Sequence, residues 1–559
     1  MTLDLDVIHK HFPDMLSPVL SRDDGATSYR LKLSPLPSGR EFAWAELRLP
    51  KDFPTHAQAK IYLSPDAILR IPHVEWAGAL CIDGDPGPGC GLSAEERIFH
   101  LLLNYHDAFL RSWTTGALDE DFALETLNYW AIEVAKARAK NDPVRAVWTV
   151  APCPEHPVLL RGTLLTPERI VIASDEQLPI TNRLIRVLGA GASQRLGVLV
   201  ADIPISHALT PQTWPRTASE LDVLLYARLE PRDYDQLRDA ISRRGRRVHR
   251  IVLLRNNEFA YAYLLPSGPA TVVDDGWCTK TYPSRLTPQP LNTERLDPAW
   301  TVGRDQHPEV NARQGVHVLV LGVGALGSPV IDHLAKAGIG LITAVDTEDL
   351  EPPNIGRHLL GAESIGKSKA VALAQRINTG YPATIVTPIT NKAEAWLNQH
   401  SLGGVDAVLD LTGEPDVRRR IDQARRQHPC PLLIGWMEPY VAAAHVCTLP
   451  ADTPWLQGND DHLTKLEAVV WPKEVIRREP GCSSRFQSYT AAAAAHAVAL
   501  VAEQALDLID GGDSTAEAQV VSWVRGQRYL DKHWPGLELK AWAQNATPHD
   551  GIILRRAFP

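Results

Sequence analysis

The rhythm of hydrophobic and polar positions changes twice along the chain. Before residue 145, the runs "SYRLKLSPL", "EFAWAELRLP" and "AQAKIYLS" alternate or are nearly continuous in apolar residues, which predicts strands. A short amphipathic helix, "LDVIHKHF", precedes them. Beyond a Pro- and Gly-rich loop at 83–91, "SAEERIFHLLLNYHDAFLRSW" and "EDFALETLNYWAIEVAKARA" carry the helical period. Strands first and helices after predict an α+β domain over 1–145. Residues 146–300 offer strands at "VLLRGTLL", "LGVLVADI" and "RIVLLRN", with a helix at "PRDYDQLRDAISRRG". We read them as an α/β linker domain ending in a proline-dotted linker, 283–308. From 301 to 559 the pattern becomes strand–helix–strand: "HVLVLGV", helix 326–338, "LITAVD", helix 366–378, "ATIVTPI", helix 392–399, "DAVLDLT", helix 415–427, "PLLIGW". That alternation predicts a doubly wound, Rossmann-like parallel sheet in a multidomain chain.

Length and charge narrow the picture. A chain of 559 residues is too long for one core. Its formal charge of −9 argues against a general nucleic-acid binder, and "RRGRRVHR" at 243–250 reads as a solvated helix end. The seven cysteines (Cys81, Cys90, Cys153, Cys278, Cys430, Cys447, Cys482) contain no CxxC pair, which removes the usual structural zinc signature. With no signal-peptide pattern, they are expected to be reduced thiols in a cytoplasm. The apolar stretch 490–506 includes His496 and Glu503 and is expected to be a buried helix, not a membrane span.

The chemistry begins at "VLVLGVGALGSPVIDHLAKAGIGLITAVD". Gly322, Gly324 and Gly327 stand in GxGxxG spacing, and Asp346 ends the next strand. The glycines admit phosphate to a helix N-terminus and the acid can hold ribose hydroxyls. Alone, the motif points most often to NAD, so an NAD-dependent oxidoreductase is one reading. The following "DTEDLEPPNIGRHLLGAESIGKSKA" brings Asn354, Arg357, Lys367 and Lys369. A redox site needs little positive charge there. A site that expels pyrophosphate does, because charge accumulates on the phosphates.

In that order these residues resemble the adenylation domain of the ubiquitin-activating, MoeB and ThiF superfamily, over about 300–510. The resemblance implies ATP and Mg²⁺ as cofactors, Gly322, Gly324 and Gly327 as the nucleotide loop, and Asp346 on the ribose. It also implies Asn354, Arg357 and Lys369 on the phosphates, and a homodimer in which Arg304 is a candidate for the arginine supplied to the partner. Where the family has a "DxTDN"-like run, this chain reads "LDLTGEPD", with Gly413 in place of the metal-binding aspartate. Asp410, at a strand's carboxyl end, is then the expected metal ligand and Glu414 the alternative. If neither serves, the domain is an inactive nucleotide-binding scaffold.

Two cysteines fit the same chemistry. "REPGCSSRFQSYTAAAAAHAVAL" is similar to the catalytic segment of autophagy-type activating enzymes, which makes Cys482 the expected thioester-forming residue. Arg478, Arg485 and the following helix N-terminus would lower its thiol pKa. "DFPTHAQAKIYLSPDAILRIPHVEWAGALCIDGD" resembles a ubiquitin-conjugating enzyme around its cysteine, which implies a second thioester on Cys81. Cys90 is the fallback. His73 is present but the asparagine of that family's HPN segment is not, so His73 or a backbone N–H would hold the oxyanion. The fusion resembles those of anti-phage CBASS operons. It implies adenylation of a partner's C-terminus, a thioester on Cys482, transfer to Cys81 and conjugation to a lysine of an acceptor. The partner would be a cGAS-like nucleotidyltransferase, or a ubiquitin-like protein in another operon.

Overall fold

The computed structural model describes the chain apart from residues 1–5, 13–14, 22–24, 33–34, 138–143, 166–168, 174–178, 189–195, 240–248, 266–286, 457–460, 473–474, 476, 479–484, 487–488 and 512–516. The chain divides into two compact units. The first comprises 1–176 and 191–294; the second comprises 177–190 and 295–559.

In the first unit, β1 (Leu16–Ser21), β2 (Thr27–Leu31), β3 (Ala45–Leu49) and β4 (Lys60–Leu63) form an antiparallel meander. Alternation does the work expected of it: Leu31, Leu47 and Ile61 point into a core shared with Ile98 and Tyr105 of the following helical stretch. The helix Ala94–Leu103 starts on a Ser93/Glu96 capping box and runs through a π-helical turn, Asn104–Leu110, into Arg111–Thr115. Its buried Arg97 forks onto Asp85, which also accepts the N–H groups of Ala59 and Gly87. That charge-assisted knot ties the Pro- and Gly-rich loop to the sheet.

The same unit holds a closed seven-stranded barrel, ordered β10-β11-β5-β7-β6-β8-β9. Its strands are β5 (Ala146–Thr149), β6 (Val158–Leu165), β7 (Ile170–Ala173), β8 (Leu196–Pro204), β9 (His249–Arg255), β10 (Ala260–Leu264) and β11 (Gln289–Arg295). The stretch read as a proline-dotted linker therefore supplies a barrel strand and, after Asp297 as N-cap, the helix Pro298–Gly303. Leu291 is the one large apolar residue of β11, so the strand has no periodicity to betray it.

The second unit is an eight-stranded sheet. β12 (His317–Leu321), β13 (Leu341–Val345), β14 (Ile385–Ile389), β15 (Ala407–Asp410) and β16 (Leu432–Met437) run parallel in the order β14-β13-β12-β15-β16. β17 (Ala443–Leu449), β20 (Gln519–Val524) and β21 (Ile552–Ala557) extend it antiparallel. A separate two-residue pair joins β18 (Arg477–Arg478) to β19 (Arg485–Phe486). The crossover helices are Gly327–Lys336, Lys369–Gly380, Ala393–Gln399 and Pro415–Gln427. Strand order reverses between β12 and β15, which opens a crevice at the strands' carboxyl ends. The helix Ala491–Asp510 is long and apolar enough to cross a membrane by composition, yet half of its most apolar window is buried. Its Ala494, Ala497 and Val501 belong to the sheet's core.

Candidate functional site

A cavity of about 400 Å³ lies at that crevice. Gly322 and Gly324 line it after β12, Asp346 and Glu348 after β13, Lys392 and Glu394 after β14, and Thr412 and Glu414 after β15. The three glycines have different reasons to be glycine. Gly322 has φ +90°, and a Cβ there would meet the Leu411 backbone at 2.9 Å. At Gly327 a Cβ would fall 1.9 Å from the Gly322 carbonyl oxygen. A Cβ on Gly324 would meet no protein atom within 4 Å; it would project into open space beside the cavity. Two glycines thus serve the fold and the third leaves room for a ligand.

The loop is held at Val323. Its N–H donates to Asp346 Oδ2 at 2.7 Å, while its carbonyl accepts from His358 Nε2 at 2.6 Å. The Leu360 N–H donates to His358 Nδ1, which fixes the neutral tautomer with the proton on Nε2. Burial pushes the His358 pKa down, and the charge of Lys369 adds to that. Asp346 Oδ1 accepts from the Glu348 N–H. Each carboxylate oxygen keeps a lone pair for a further donor such as a ribose hydroxyl.

The residues expected on phosphates do not line the cavity. Lys369 is buried and its Nζ pairs with Glu348, so it lies one ion pair away from the cavity. Asn354 Oδ1 accepts from the Glu351 N–H. Arg357 sits over the Tyr489 ring at 5.7 Å. The wall's cation is Lys392, set among Asp346, Glu348, Glu394 and Glu414. Arg304 caps the helix Pro298–Gly303 in the left-handed region and lies over Trp300.

Asp410 sits beneath the wall, fully buried, and burial raises its pKa. Its Oδ1 accepts from the Thr412 N–H and hydroxyl. Oδ2 has no hydrogen-bond partner and lies 4.0 Å from Arg418 Nη1, also unpartnered. Glu414, not Asp410, is the carboxylate this strand end presents to the cavity. Among the described residues, no group of three or more His, Cys, Asp or Glu is arranged to hold a metal.

In the first unit, Cys81 is exposed and its N–H donates to the His73 carbonyl at 2.7 Å. His73 has φ +61°. Its Nε2 lies 2.9 Å from Asp121 and its Nδ1 lies 3.3 Å from Glu125, so both ring nitrogens are engaged by carboxylates. The His73 N–H donates to Tyr129 Oη, and that hydroxyl donates to Glu125. His73 therefore holds the cysteine loop through its backbone, and its ring has no nitrogen left for an oxyanion. Partial burial, then the charges of Glu75 and Glu125, push the Cys81 thiol up, against a smaller pull from Lys60. Cys90 is also exposed. Cys482 lies outside the described residues; the pair β18–β19 flanks it in sequence, and the helix behind it begins only at Ala491, past β19.

A parallel sheet with a glycine loop after its first strand and an acid after its second can be set beside known proteins, and over this sheet the chain is similar to one family. Residues 307–526 match the ThiF family. The chain is 27% identical over 233 residues to the ATP-dependent ubiquitin transferase-like protein Cap2 of Pseudomonas aeruginosa, covering 40% of this chain and 42% of that protein. It is 36% identical over 105 residues to the adenylyltransferase and sulfurtransferase UBA4 of Yarrowia lipolytica, covering 19% and 26%. A solved structure, Escherichia coli MccB with AMPCPP and MccA, aligns at 17% identity and a TM-score of 0.29, over 38% of this chain and 61% of that one. The chain thus spans less than half the length of Cap2 and of UBA4. The family expected from the sequence is the one matched.

Within the ThiF region, sequence reasoning missed His358, Lys392, Glu394 and Thr412. Lys392 and Glu394 follow the third parallel strand, and ligand sites gather at the carboxyl ends of such strands, so a signal was there. His358 directly follows Arg357 in "NIGRH", but nothing in that run foretells its hold on Val323. Around Cys81, the spacing of Asp121, Glu125 and Tyr129 by four is a helical stripe that was legible.

Proposed function

We propose that the ThiF region adenylates the C-terminal carboxylate of a protein partner with ATP, and that the acyl group then moves through two cysteines to a lysine. The open space at Gly324, between the Asp346 carboxylate and the start of the helix Gly327–Lys336, carries this reading. It is where a phosphate can approach backbone N–H groups at a helix N-terminus. A carboxylate oxygen of the partner attacks the α-phosphorus, and the bond to pyrophosphate breaks. The Cys482 thiolate attacks the acyl carbon and AMP leaves. The Cys81 thiolate displaces Cys482, and a lysine amine displaces Cys81 to form an isopeptide bond, losing its proton. Splitting the transfer this way lowers each barrier.

Four carboxylates and one lysine on the wall cannot by themselves hold a polyphosphate, so the donor set fits a divalent cation. Mg²⁺ suits oxygen donors and binds through one or two carboxylates plus substrate phosphates. Glu414 would hold it, with Asp410 beneath positioning Thr412; the ion would neutralise charge on the phosphates. In this reading residues 1–145 are ubiquitin-conjugating-like, with Cys81 as the second thioester station. A cGAS-like nucleotidyltransferase is the proposed partner, and the enzyme is proposed to act in the cytoplasm as a homodimer; the similarity to the ubiquitin transferase-like protein Cap2 supports the anti-phage context of the scheme.

The test is a non-reducing gel of the full chain with ATP, Mg²⁺ and the nucleotidyltransferase. Cys482→Ala should abolish every thioester. Cys81→Ala should leave the Cys482 thioester and lose the final conjugate. Normal conjugation by Cys482→Ala would overturn the scheme.

A further inference from the structure

Three arginines of the second unit find their partners within it. Arg313 forks onto Asp510, Arg418 onto Asp461, and Arg425 donates to the carbonyls of Cys430, Pro450 and Thr453. Arg525, half-buried just past the end of β20, differs. Its Nε is buried without a partner, and neither Nη takes a hydrogen bond or an ion pair among the described residues. Its guanidinium lies instead over two rings, Trp523 at 4.3 Å and Tyr529 at 4.4 Å. His496 stacks on Trp523 at 4.2 Å and 8°, while His533 packs on Tyr529 at 4.5 Å and on Tyr440 at 5.4 Å. Both histidines are exposed. A guanidinium held against aromatic rings keeps its in-plane N–H donors for a bidentate acceptor such as a carboxylate.

The backbone beside it is strained. Tyr440 and Val441, in the turn between β16 and β17, have φ of +56° and +55°. Such conformations cost about 1–3 kcal/mol each and persist only where the surroundings over-determine them. Here the Tyr529 hydroxyl donates to the Tyr440 carbonyl at 2.8 Å, and the Arg525 N–H donates to the Ala442 carbonyl at 2.9 Å. The turn and the arginine are therefore parts of one construction.

Topology places that construction on the nucleotide edge. β17 runs antiparallel to both β16 and β20, so β20 ends on the edge where β12, β15 and β16 end. Trp523 shares a core with Val330 of the helix that begins at Gly327, so both lie on one face of the sheet. β15 and β20 are separated by β16 and β17, which is roughly 14 Å at the usual strand spacing. An extended chain covers about 3.3–3.6 Å per residue, so about four residues span the gap. We propose that Arg525 binds an acidic side chain of the protein substrate, four or five residues before the carboxylate that the crevice receives. This register rests on the adenylation reading.

The experiment is isothermal titration calorimetry of the full chain, without ATP, with ten-residue Gly/Ser peptides that carry one glutamate at positions two to eight from a free C-terminus. Glutamate at the fourth or fifth position should bind about fivefold to tenfold more tightly than glutamine there, the worth of one charged hydrogen bond at a partly exposed site. Arg525→Gln should erase that preference and leave the affinity of the glutamine peptide unchanged. Arg525→Glu should prefer lysine at the same position, an inversion that an arginine serving only to pack Trp523 and Tyr529 could not give. A flat profile along the peptide, a maximum elsewhere, a preference that survives Arg525→Gln, or no binding at millimolar peptide would overturn the proposal. ATP–pyrophosphate exchange with the same peptides separates the two readings. Exchange without a glutamate preference sinks the Arg525 site alone; a preference without exchange sinks adenylation alone.

Discussion

Alanine at each loop glycine separates folding from ligand binding. In Gly327→Ala the new methyl lies 1.9 Å from the Gly322 carbonyl oxygen, a backbone atom that cannot swing aside. A cost of about 3 kcal/mol or more is expected. Gly322→Ala combines a 2.9 Å approach to the Leu411 backbone with φ +90°, and the left-handed conformation alone costs about 1–2 kcal/mol. Gly324→Ala has neither fault: no atom lies within 4 Å and its φ is not positive. Its stability should change by less than about 0.5 kcal/mol, or rise slightly as the unfolded chain loses freedom. In a unit of this size, about 1 kcal/mol moves Tm by roughly 2–4 °C. Gly327→Ala should therefore melt at least about 6 °C low, and Gly324→Ala within about 2 °C of the parent. Saturating ATP·Mg²⁺ at about 100 Kd should stabilise the parent by about 2.7 kcal/mol. Gly324→Ala should lose that gain, because its methyl occupies the phosphate approach. Thermal melts with and without ATP read all three. A Gly324→Ala protein that keeps the full ATP-induced shift would refute this division of labour.

Three further outcomes follow from the sites. His358 is buried with a lowered pKa, so the unfolded chain binds its proton first; stability should be complete above about pH 6.5 and fall as pH drops through that value, by at most about 1.4 kcal/mol per unit. His358→Gln should flatten that slope in melts from pH 5 to 8. The Cys81 thiol should alkylate with a pH midpoint above that of a free thiol, and Glu125→Gln should bring the midpoint down; an unmoved midpoint would remove Glu125 as a cause. Asp346→Asn must turn an N–H donor toward the Val323 or Glu348 N–H, costing about 1–3 kcal/mol in chemical denaturation and abolishing ATP-dependent pyrophosphate exchange.

The parallel sheet was legible because its central strands β12, β15 and β16 are buried on both faces and read as continuous apolar runs, with helices of the right length between. The nucleotide loop was legible because close approach of backbones demands glycine at fixed spacing. The barrel was not: β11 has too few apolar side chains, and closure depends on pairings far apart in sequence. Asp410, expected as a metal ligand with Glu414 as the alternative, was read from its strand-end position alone. A strand-end position shows proximity to the crevice but not whether the side chain faces it, and Asp410 turns down toward Arg418 while Glu414 faces the space. His73 was found by its place before Cys81, yet its two carboxylate partners came from a helix some fifty residues on.

The helix Pro179–Leu188 interrupts the sequence of the barrel but belongs to the unit that holds the ThiF region, where Arg183 donates to the Thr384 carbonyl. No single cut in the gene can therefore release the second unit whole. A fragment starting at 295 would leave a bare groove along the helix Lys369–Gly380, and a synthetic peptide of residues 177–190 is the natural reagent to fill it in trans.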